Sequence, residues 1–548
     1  MAGGLGGEAI LMRRPLLFIA ALVVSAVVSV APAGGVAKQT PKRGGTLVIR
    51  VLGPEPACLN VLPMSCNQGG QAYWSEKVLQ RPFEVGPDFT YQESLVSRVD
   101  YTRRRPFTLT YHIRPEARWS DGVPVTAQDF IFTLQAIRRH AIPEERDLHA
   151  PIRSARAVDR KTLRVVLRPR SASWHDFFGN ILPAHALRGS DLTQVWSDRV
   201  DDPRTGLAIG SGPFLVERLE RGRQLVLRRN PRYWGPHPAY VERLVIRFAD
   251  VATDPSEELR SGELDVATVG PPAFVPAVRR VPGVRLVTGV ASNFEHLDVQ
   301  LGPNAHPALR NKLVRRALAY GIDRTALARQ IWGEVDPSAS ALDSLVHLAQ
   351  SRYYEPNWRG YRYRPAEARR LLQQAGCRRG ADGIFSCGGR RLSLRFVTSA
   401  GFAIRAQALS LIQAQLRDAG VEVVPVFAPG GTFIGQILPQ GTFDVALFSW
   451  SGSPAASWAS VYGCGGLENF TGYCQRLVTA HFNQADRMLD ERRRARVFNR
   501  ADRGLANDVT TIPLYQFVAT AAYDASVRGF RFLPWNPLWN AENWWLDR

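Results

Sequence analysis

Apolar and polar residues are arranged along this chain in short strand-like and helix-like patterns that follow one another over most of its length. Apolar and polar positions alternate over 107–114, as they do in a half-buried strand. A Ser-Asp-Gly turn follows, and Thr126 then precedes apolar residues with helical spacing, which predicts a helix N-terminus at that point. Strands are also predicted over 43–51 and on both sides of the turn at 220–222.

The second half of the chain contains a strand–helix–strand pattern followed by another strand. The strand–helix–strand pattern consists of "RLSLRFVTS", "RAQALSLIQAQLRDAG" and "VEVVPVF". The next strand is predicted over 443–449, and the residues at its end are uncharged. Helical spacing of apolar residues recurs over 310–333, and 364–377 predicts a further helix that ends at a glycine. Because parallel strands need a crossover between them, this order predicts an α/β fold with a parallel sheet.

The length of the chain predicts more than one hydrophobic core. At 548 residues it exceeds what one compact core usually holds, so we expect two or three lobes. Hydrophobic residues make up 45% and charged residues 22%, which is typical of a folded soluble protein.

The net charge of +20 raises the question of a nucleic-acid partner. Nearly all of the positive charge is arginine, spread along the chain and mixed with acids in runs such as "DERRRARVFNRADR". Zinc-finger spacing, an RNP-like aromatic motif and a basic arm are all missing from the sequence, so we predict no nucleic-acid partner. Affinity for an anionic membrane surface stays open as an alternative.

The N-terminal sequence has the layout of a secretory signal. In "MRRPLLFIAALVVSAVVSVAPAGGVA", two arginines precede a short apolar run, and small residues follow it. We expect residues 1–37 to be a signal peptide, cleaved after 33 or 37, with twin-arginine export as an alternative to the general route. No cysteine follows the apolar run, so the sequence predicts an exported, periplasmic or cell-surface protein that is not a lipoprotein. No later segment is apolar enough to span a bilayer.

Six cysteines fit an exported protein, and they fall into three pairs of near neighbours. Six cysteines allow many connectivities, of which closing each short loop locally is the simplest. The alternative, a metal site, lacks CxxC spacing and nearby histidines, and we predict no metal. The expected disulfides are Cys58–Cys66, Cys377–Cys387 and Cys464–Cys474.

The sequence contains no recognisable catalytic motif. Its ten histidines form no HExxH pair, and there is no GxSxG nucleophile elbow. The glycine-rich stretch 206–212 is not followed by Lys-Ser/Thr and leads into a strand, which indicates a tight turn rather than a phosphate loop. We therefore predict no catalytic residue and no cofactor, and a secreted hydrolase stays as a less favoured alternative.

Five ordered motifs resemble one known family. They are "RGGTLVI", "WSDGVPVTAQDFIFTL", "GSGPFLVERLERGRQLVLRRNPRYWG", "LRSGELDVA" and "LVRRALAYGIDRTAL". Together they identify the chain as similar to the extracytoplasmic solute-binding proteins of family 5, the dipeptide-, oligopeptide- and nickel-binding components of ABC importers. The resemblance covers about 43–545.

The resemblance implies a two-lobed periplasmic-binding-protein fold, linked by a hinge, with the ligand in the cleft between the lobes. Lobe one is expected over 43–290 with an extra subdomain at about 76–200, and lobe two over 291–510. Residues 511–548 are expected to return and complete lobe one. The two crossovers between the lobes are expected near 288–297 and 508–514.

In peptide-binding members of the family, the strand that corresponds to 443–449 brings a Trp and small residues to the cleft. A nearby Asp then pairs with the α-ammonium group of the peptide. Here Trp450, Ser451, Gly452 and Ser453 stand at the matching positions, and Ser453 is where the Asp is expected. A hydroxyl is a poor partner for a desolvated ammonium, so the sequence favours a ligand that is neutral or carries its charge elsewhere.

Further ligand-binding candidates come from segments that border the cleft in the family. They are Asn60, Tyr73, Trp74, Asn293 and Tyr515. Ordinary packing is the alternative role for Tyr73 and Trp74, and for Trp450 as well.

The resemblance implies a monomeric receptor that hands a peptide or small-molecule ligand to membrane permease subunits energised by a cytoplasmic ATPase. Within the family, a nickel chelate, an oligosaccharide or an opine-like molecule is the alternative ligand. A receptor that feeds a signalling partner instead of a permease is a further alternative.

Overall fold

A mixed sheet of ten strands runs through the part of the chain that the structure describes, in the order β17–β16–β18–β12–β19–β11–β1–β10–β9–β8. The structure is a computed structural model and describes residues 40–548 apart from 64–65, 67–70, 103, 169 and 455. The predicted signal peptide, 1–37, lies outside the described residues. The strands are β1 (Thr46–Leu52), β2 (Phe83–Val85), β3 (Tyr91–Glu93), β4 (Val96–Tyr101), β5 (Phe107–Ile113), β6 (Ile152–Ala157), β7 (Thr162–Leu167), β8 (Phe214–Glu220), β9 (Gln224–Arg229), β10 (Arg243–Ala249), β11 (Val266–Val269), β12 (Val284–Val299), β13 (Arg378–Arg379), β14 (Phe385–Cys387), β15 (Arg390–Arg391), β16 (Ser393–Ser399), β17 (Glu422–Ala428), β18 (Val445–Ser451), β19 (Thr511–Asp524), β20 (Val527–Arg528) and β21 (Trp545–Leu546).

Helices cover the sheet and connect its strands. They are α1 (Gln71–Val78), α2 (Ala127–His140), α3 (Pro143–His149), α4 (Ala184–Leu187), α5 (Ser256–Arg260), α6 (Val275–Arg279), α7 (Lys312–Gly321), α8 (Arg324–Trp332), α9 (Pro365–Gln374), α10 (Ala403–Ala419), α11 (Gly430–Thr432), α12 (Leu438–Gln440), α13 (Ala459–Tyr462), α14 (Arg476–Ala485) and α15 (Glu491–Asp508). Short 3₁₀ helices lie at Ala172–His175, Pro272–Phe274, Pro307–Arg310 and Ala541–Asn543, and a π turn lies at Phe433–Ile437.

The two ends of the large sheet are built differently and are joined in the middle. At one end β1 runs parallel to β10 and β11, and at the other end β16 runs parallel to β17 and β18. The helix α10 connects β16 to β17, so the predicted parallel strand–helix–strand unit is confirmed. We call the part built on β1 and β8–β11 lobe one, and the part built on β16–β18 lobe two.

The long antiparallel pair of β12 and β19 runs through both lobes. Val290 pairs with Val518 and Phe294 with Gln516, so three residues of β12 face a single residue of β19 at this register shift. On one side of the shift β19 also pairs with β11, and on the other side β12 also pairs with β18. The first expected crossover, 288–297, contains the shift. The second expected crossover, 508–514, does not contain it and lies wholly on the lobe-two side.

Two large clusters of buried apolar side chains accompany the two lobes. Most members of the first come from 47–246 and 527–546, and most members of the second come from 259–522. Several side chains cross between the clusters: Phe89 packs into the second cluster and Leu489 into the first. The strand β11 contributes to both, with Val266 in the first cluster and Ala267 and Val269 in the second. The chain therefore has the two-lobed α/β fold that the sequence predicted, with the lobes in contact through these side chains.

A separate antiparallel sheet of four strands, in the order β4–β5–β7–β6, packs with α2 beside lobe one. The backbone N–H of Thr126 donates to the Asp129 carboxylate at 2.7 Å, which caps α2 where the sequence predicted its start. Tyr111 and Phe130 pack against Phe178 with ring centroids 5.6 and 5.4 Å apart, and this apolar contact holds the sheet to the helix layer.

Two local expectations differ from the structure. The segment 310–333 is broken into α7 and α8, because the Asp323 side chain accepts a hydrogen bond from the Ala326 backbone at 2.9 Å and starts a new helix. The strand expected over 443–449 is β18, which begins and ends two residues later, so Trp450 and Ser451 belong to the strand itself.

All six cysteines are paired as the spacing predicted, in the disulfides Cys58–Cys66, Cys377–Cys387 and Cys464–Cys474. The sequence separations are 8, 10 and 10 residues. Such short closed loops stabilise a fold by roughly 2–3 kcal/mol each in the chain-entropy description.

Candidate ligand-binding site

The carboxyl end of β18 is an exposed edge at the junction of the two lobes. Beyond Ala446 the ladder between β18 and β16 stops, whereas its ladder with β12 continues to Ser451. The strand edge over 448–451 therefore has a ladder partner on one side only within the described chain. Carboxyl ends of parallel strands are the usual place for ligand sites in α/β sheets, and unpaired edges accept an added strand.

The accessible residues at the end of this edge are small and polar, whereas Phe448 is buried. Ser451 and Asn293 lie opposite each other in the ladder, and both are exposed. The backbone N–H of Gly452 donates to the carbonyl of Ser292 at 2.8 Å, which holds the turn after β18 to β12. A Cβ at Gly452 would lie 2.9 Å from a methyl group of Leu348, so a larger residue there would have to displace the Leu348 side chain.

Trp450 lies in a row of stacked rings beside the exposed edge. Its ring is nearly parallel to those of Phe470 and His296, with centroids 6.2 and 6.1 Å away. The side chain is half-buried, and its indole N–H has no hydrogen-bond partner within the described residues. The accessible part of the ring is therefore the surface that Trp450 can offer to a bound molecule, because the indole N–H itself is buried.

Ser453 lies beside a narrow cavity of about 30 Å³ between the lobes, whose opposite wall contains Phe89. Arg494 holds the turn that follows, donating to the carbonyls of Pro454 at 3.1 Å and Ala456 at 2.8 Å. Glu491 shares the cavity, but its carboxylate already accepts from the hydroxyl of Tyr353 at 3.2 Å and pairs with Arg352 at 3.5 Å. Ser453 itself is exposed, and it carries no counter-charge for an ammonium group.

A charged pair lies one step inside the edge, on the covered part of the sheet. The Arg405 guanidinium donates to Glu295 at 2.9 Å, to the Ser399 hydroxyl at 2.7 Å and to the Ser449 hydroxyl at 3.1 Å. Burial raises the pKa of the Glu295 carboxyl to about 7, against the opposing effect of the Arg405 guanidinium. The second oxygen of Glu295 and the hydroxyl of Tyr515, its ladder neighbour, are buried without a hydrogen-bond partner among the described residues.

The next residue of β12 faces the other side of the sheet. His296 is buried against the ring of Phe448, 4.3 Å away, and 3.7 Å separate its Nε2 from the carboxylate of Asp298. Burial lowers the pKa of His296 to about 3 and raises that of Asp298 to about 7. The hydroxyl of Thr511 donates to Asp298 at 2.7 Å.

The lobe-one candidates are less accessible than the edge of β18. Asn60 is buried; its amide donates to the carbonyl of Leu192 at 2.8 Å, and its oxygen accepts from the backbone of Leu62 at 3.1 Å. Trp74 is fully buried, and Tyr73 is half-buried, with its pKa raised by burial. Asn60, Trp74 and Tyr515 have almost no free surface in this conformation, and ligand contact by all eight candidate residues stays a prediction.

Glu295 and Arg405 were not among the residues predicted from the sequence. Three ionisable residues among the apolar positions of "NFEHLDV" were the available signal for Glu295, His296 and Asp298. Arg405 carries no such signal, because its partner is 110 residues away in the chain.

A much larger cavity, about 750 Å³, lies elsewhere, in lobe one. Its buried ammonium group, Lys77, donates to the carbonyl of Trp539 and lies 3.7 Å from the Glu542 carboxylate. Burial opposes the charge of Lys77, but Glu542 and Glu84 outweigh it together and raise its pKa. This cavity contains charges of both signs, and its lining residues are separate from the exposed edge of β18.

The described residues offer neither a metal site nor a membrane-spanning helix. They contain no group of three or more His, Cys, Asp or Glu side chains arranged to hold a metal ion. None of the described helices is long and apolar enough to cross a membrane.

Two lobes joined by a shared strand pair, with an open strand edge at their junction, define a solute-binding protein. Residues 100–471 match the bacterial extracellular solute-binding proteins, family 5, and the chain belongs to this family. The family predicted from the five motifs is thus confirmed, and with it an extracytoplasmic receptor role.

Individual relatives have different printed ligands. The oligopeptide-binding protein OppA of Mycobacterium tuberculosis is 27% identical over 488 residues, which cover 87% of this chain and 80% of that protein. Among solved structures, the periplasmic EDTA-binding protein EppA has a TM-score of 0.78 at 22% identity, covering 93% of this chain and 98% of that one. The oligopeptide-binding protein AppA of Bacillus subtilis, in complex with a nonapeptide, has a TM-score of 0.68 at 19% identity, covering 93% and 100%.

Proposed function

We propose that this protein receives a peptide or peptide-like solute at the edge of β18 and delivers it to a membrane permease energised by a cytoplasmic ATPase. The observation that carries the proposal is the strand edge over 448–451, which is paired on one side only. An extended ligand backbone can add to such an edge through main-chain hydrogen bonds, with side chains taken up on either side. The oligopeptide-binding relatives support the same ligand class.

In this proposal, no carboxylate at the end of β18 pairs with the amino terminus of the peptide. Ser453 is exposed and uncharged, and Glu491 beside it is already bonded to Tyr353 and Arg352. The ligand is therefore bound through its backbone and through the ring of Trp450, and its amino group is neutral, blocked or left in solvent.

A second candidate is an anionic metal chelate. The absence of a negative charge at Ser451, Gly452 and Ser453 favours it, because a polycarboxylate would be repelled by an acid at that position. The likeness to the EDTA-binding protein EppA supports this candidate. An oligosaccharide or an opine-like solute is compatible with the same uncharged edge.

Titration calorimetry separates the two candidates. The probes are a pentapeptide of neutral side chains, its N-acetylated form and Fe(III)-EDTA. We expect both peptides to bind within about threefold of each other, which is below 1 kcal/mol. Binding of Fe(III)-EDTA alone would favour the chelate, and a strong preference for the free amine would overturn the proposed mode of recognition.

We infer that the protein is a monomer without nucleic-acid affinity or a lipid anchor. We also infer that it releases its ligand intact, since no catalytic motif is present in the sequence. Incubation with a labelled peptide should return intact peptide, and fragments would instead indicate a hydrolase.

The hinge is proposed at the register shift of β12 and β19, with lobe boundaries near 290 and 518. Ligand binding is expected to close the lobes without changing secondary structure. Small-angle scattering should then show a smaller radius of gyration at saturation. An unchanged radius together with slower hydrogen exchange at the interlobe contacts would indicate that the free protein is already closed.

A further inference from the structure

Five arginines line a cavity of about 640 Å³ at one end of the four-stranded sheet beside lobe one. Arg105 precedes β5, Arg153 lies in β6, Arg168 and Arg170 follow β7, and Arg487 comes from the turn between α14 and α15. The remaining lining residues are apolar, and no carboxylate lines the cavity. Its charge therefore has one sign only.

Most of these guanidinium groups are available to a ligand. Within the described chain, Arg105, Arg153, Arg168 and Arg487 are exposed, and no ion pair or side-chain hydrogen bond engages them. Elsewhere on the surface, by contrast, arginines such as Arg391 have carboxylate partners. Clustered like charges repel one another unless a counter-anion neutralises them.

The cavity has a flat wall on which two of the arginines converge. The guanidinium carbon of Arg170 lies 4.0 Å from the ring centroid of Phe107, and that of Arg105 lies 5.9 Å from it. Stacking on a ring orients the plane of a guanidinium, and Arg105 is the exposed member of this pair. Planar forks with fixed direction match the paired oxygens of a phosphate group.

The cavity draws its walls from both lobes. Arg487 belongs to the turn after α14, whose Asp486 carbonyl accepts from the backbone N–H of Ala172 at 2.9 Å. Leu489 of the same turn is buried in the first apolar cluster, which is mainly that of lobe one. A molecule held by Arg487 together with Arg153 and Arg168 would therefore touch both lobes at once.

We propose that this cavity is a second binding site, which takes a soluble anion carrying two or more phosphate groups and bridges the lobes. Its volume is within the usual range of small-molecule sites, about 300–1,000 Å³. A concave site between two lobes admits a compact anion but not the flat surface of a bilayer. Because the anion contacts residues of both lobes, it stabilises the conformation in which the lobes are in contact. It thereby raises the affinity of the cleft for its own ligand.

The test uses the full mature chain and inorganic tripolyphosphate, followed by calorimetry at moderate salt. Arg153→Glu with Arg168→Glu should weaken binding about tenfold or more, since each charge-assisted contact contributes on that order. The matched control, Arg188→Glu with Arg280→Glu, makes the same charge change at two exposed arginines outside the cavity and should stay within about threefold. Equal weakening in both variants would reduce the effect to general charge and overturn the site.

Arg487→Ala provides the lobe-bridging readout. Tripolyphosphate should compact the unmodified protein in small-angle scattering and raise the affinity of the cleft for its peptide, and it should do neither to this variant. Undiminished coupling in Arg487→Ala would overturn the bridge.

Vesicles test the membrane source of phosphate. One outcome would show that the site binds a membrane and not a soluble anion. In that outcome the protein prefers phosphatidylglycerol to phosphatidylcholine vesicles, loses this preference in Arg153→Glu with Arg168→Glu, and does not bind tripolyphosphate. Circular dichroism and unfolding midpoints of all variants separate loss of the site from loss of the fold.

Discussion

The covered part and the exposed end of the same two strands, β12 and β18, differ in a way opposite to the usual distribution of charge. Inside, Glu295, His296 and Asp298 are almost fully buried, and Arg405 of α10 pairs with Glu295. At the exposed end, Asn293 and Ser451 lie in water and carry no charge.

The difference teaches that charge and recognition are separated in this site. A buried carboxylate persists only with close partners, and Glu295 has one at 2.9 Å. The exposed end needs no such partner, because hydroxyls, main-chain groups and an indole bind without desolvating an ion. We therefore expect substitutions in the charged interior to act on stability and substitutions at the uncharged end to act on ligand binding.

The largest expected effect is on the charged interior. Arg405→Ala leaves the buried Glu295 carboxylate without its cation and should lower the free energy of unfolding by about 3–5 kcal/mol near neutral pH. Urea unfolding followed by tryptophan fluorescence measures it.

The control removes both charges together. Arg405→Met with Glu295→Leu should recover most of the lost stability, because no uncompensated charge remains in the interior. If the double variant were as unstable as Arg405→Ala, the guanidinium would be needed for its bonds to Ser399 and Ser449 instead.

The exposed end should respond in binding and much less in stability. Trp450→Ala is expected to weaken peptide binding by about 2–3 kcal/mol, since the ring is the largest contact surface at the edge. Calorimetry provides the measurement, and Phe427→Ala, an exposed aromatic of the same lobe outside the edge, is the control. Equal losses in the two variants would remove Trp450 from the site.

Placing a charge at the uncharged end should change ligand preference. Ser453→Asp is expected to favour a free-amine peptide over its N-acetylated form by about tenfold, because it supplies the missing counter-charge. Ser453→Asn has nearly the same size without the charge and should leave the preference unchanged. If the unmodified protein already prefers the free amine strongly, another acid performs that role.

The smallest effect concerns pH. The pKa of His296 falls from 6.5 to about 3 on folding, so it contributes stability that is present above pH 6.5 and is lost as pH falls towards 3. The pKa of Asp298 rises from 3.8 to about 7, so its contribution is present below pH 3.8 and is lost as pH rises towards 7. The two slopes oppose each other between these limits.

Replacing one member of the pair should reveal the slope of the other. Between pH 4 and pH 6.5, stability should fall more steeply with rising pH in His296→Leu than in the unmodified protein, by up to about 1 kcal/mol per pH unit. Asp298→Asn should tilt the curve the other way. Parallel curves for all three proteins would mean that neither group changes its proton occupancy on folding.

The sequence predicted the elements whose signals are local. The alternation over 107–114, the cap at Thr126 and the strand–helix–strand unit around α10 all appear in the structure. The break at Asp323 was missed, because apolar spacing continues across it and only the hydrogen bond to Ala326 ends the helix. Helical periodicity measures which face is covered and is insensitive to a short interruption.

The candidate site divides in the same way. Trp450, Ser451 and Asn293 could be predicted, because they follow from a strand and from the family's motifs, and the structure brings them to one edge. The partnership of Glu295 with Arg405 could not be predicted, because a chain separation of 110 residues leaves no local pattern. The position of the register shift was equally hidden, since it depends on which residues of β12 and β19 pair across the ladder.

The shared strand pair has a consequence for how this protein can be taken apart. Val290 and Val518 are ladder partners just before the shift, so the chain leaves lobe one and returns to it at neighbouring points, roughly 5 Å apart. Along the chain, lobe two is therefore inserted between the two strands of a lobe-one hairpin. A short turn grafted between these two valines would close the host lobe in a single excision, whereas a cut at one crossing would leave both halves unfinished.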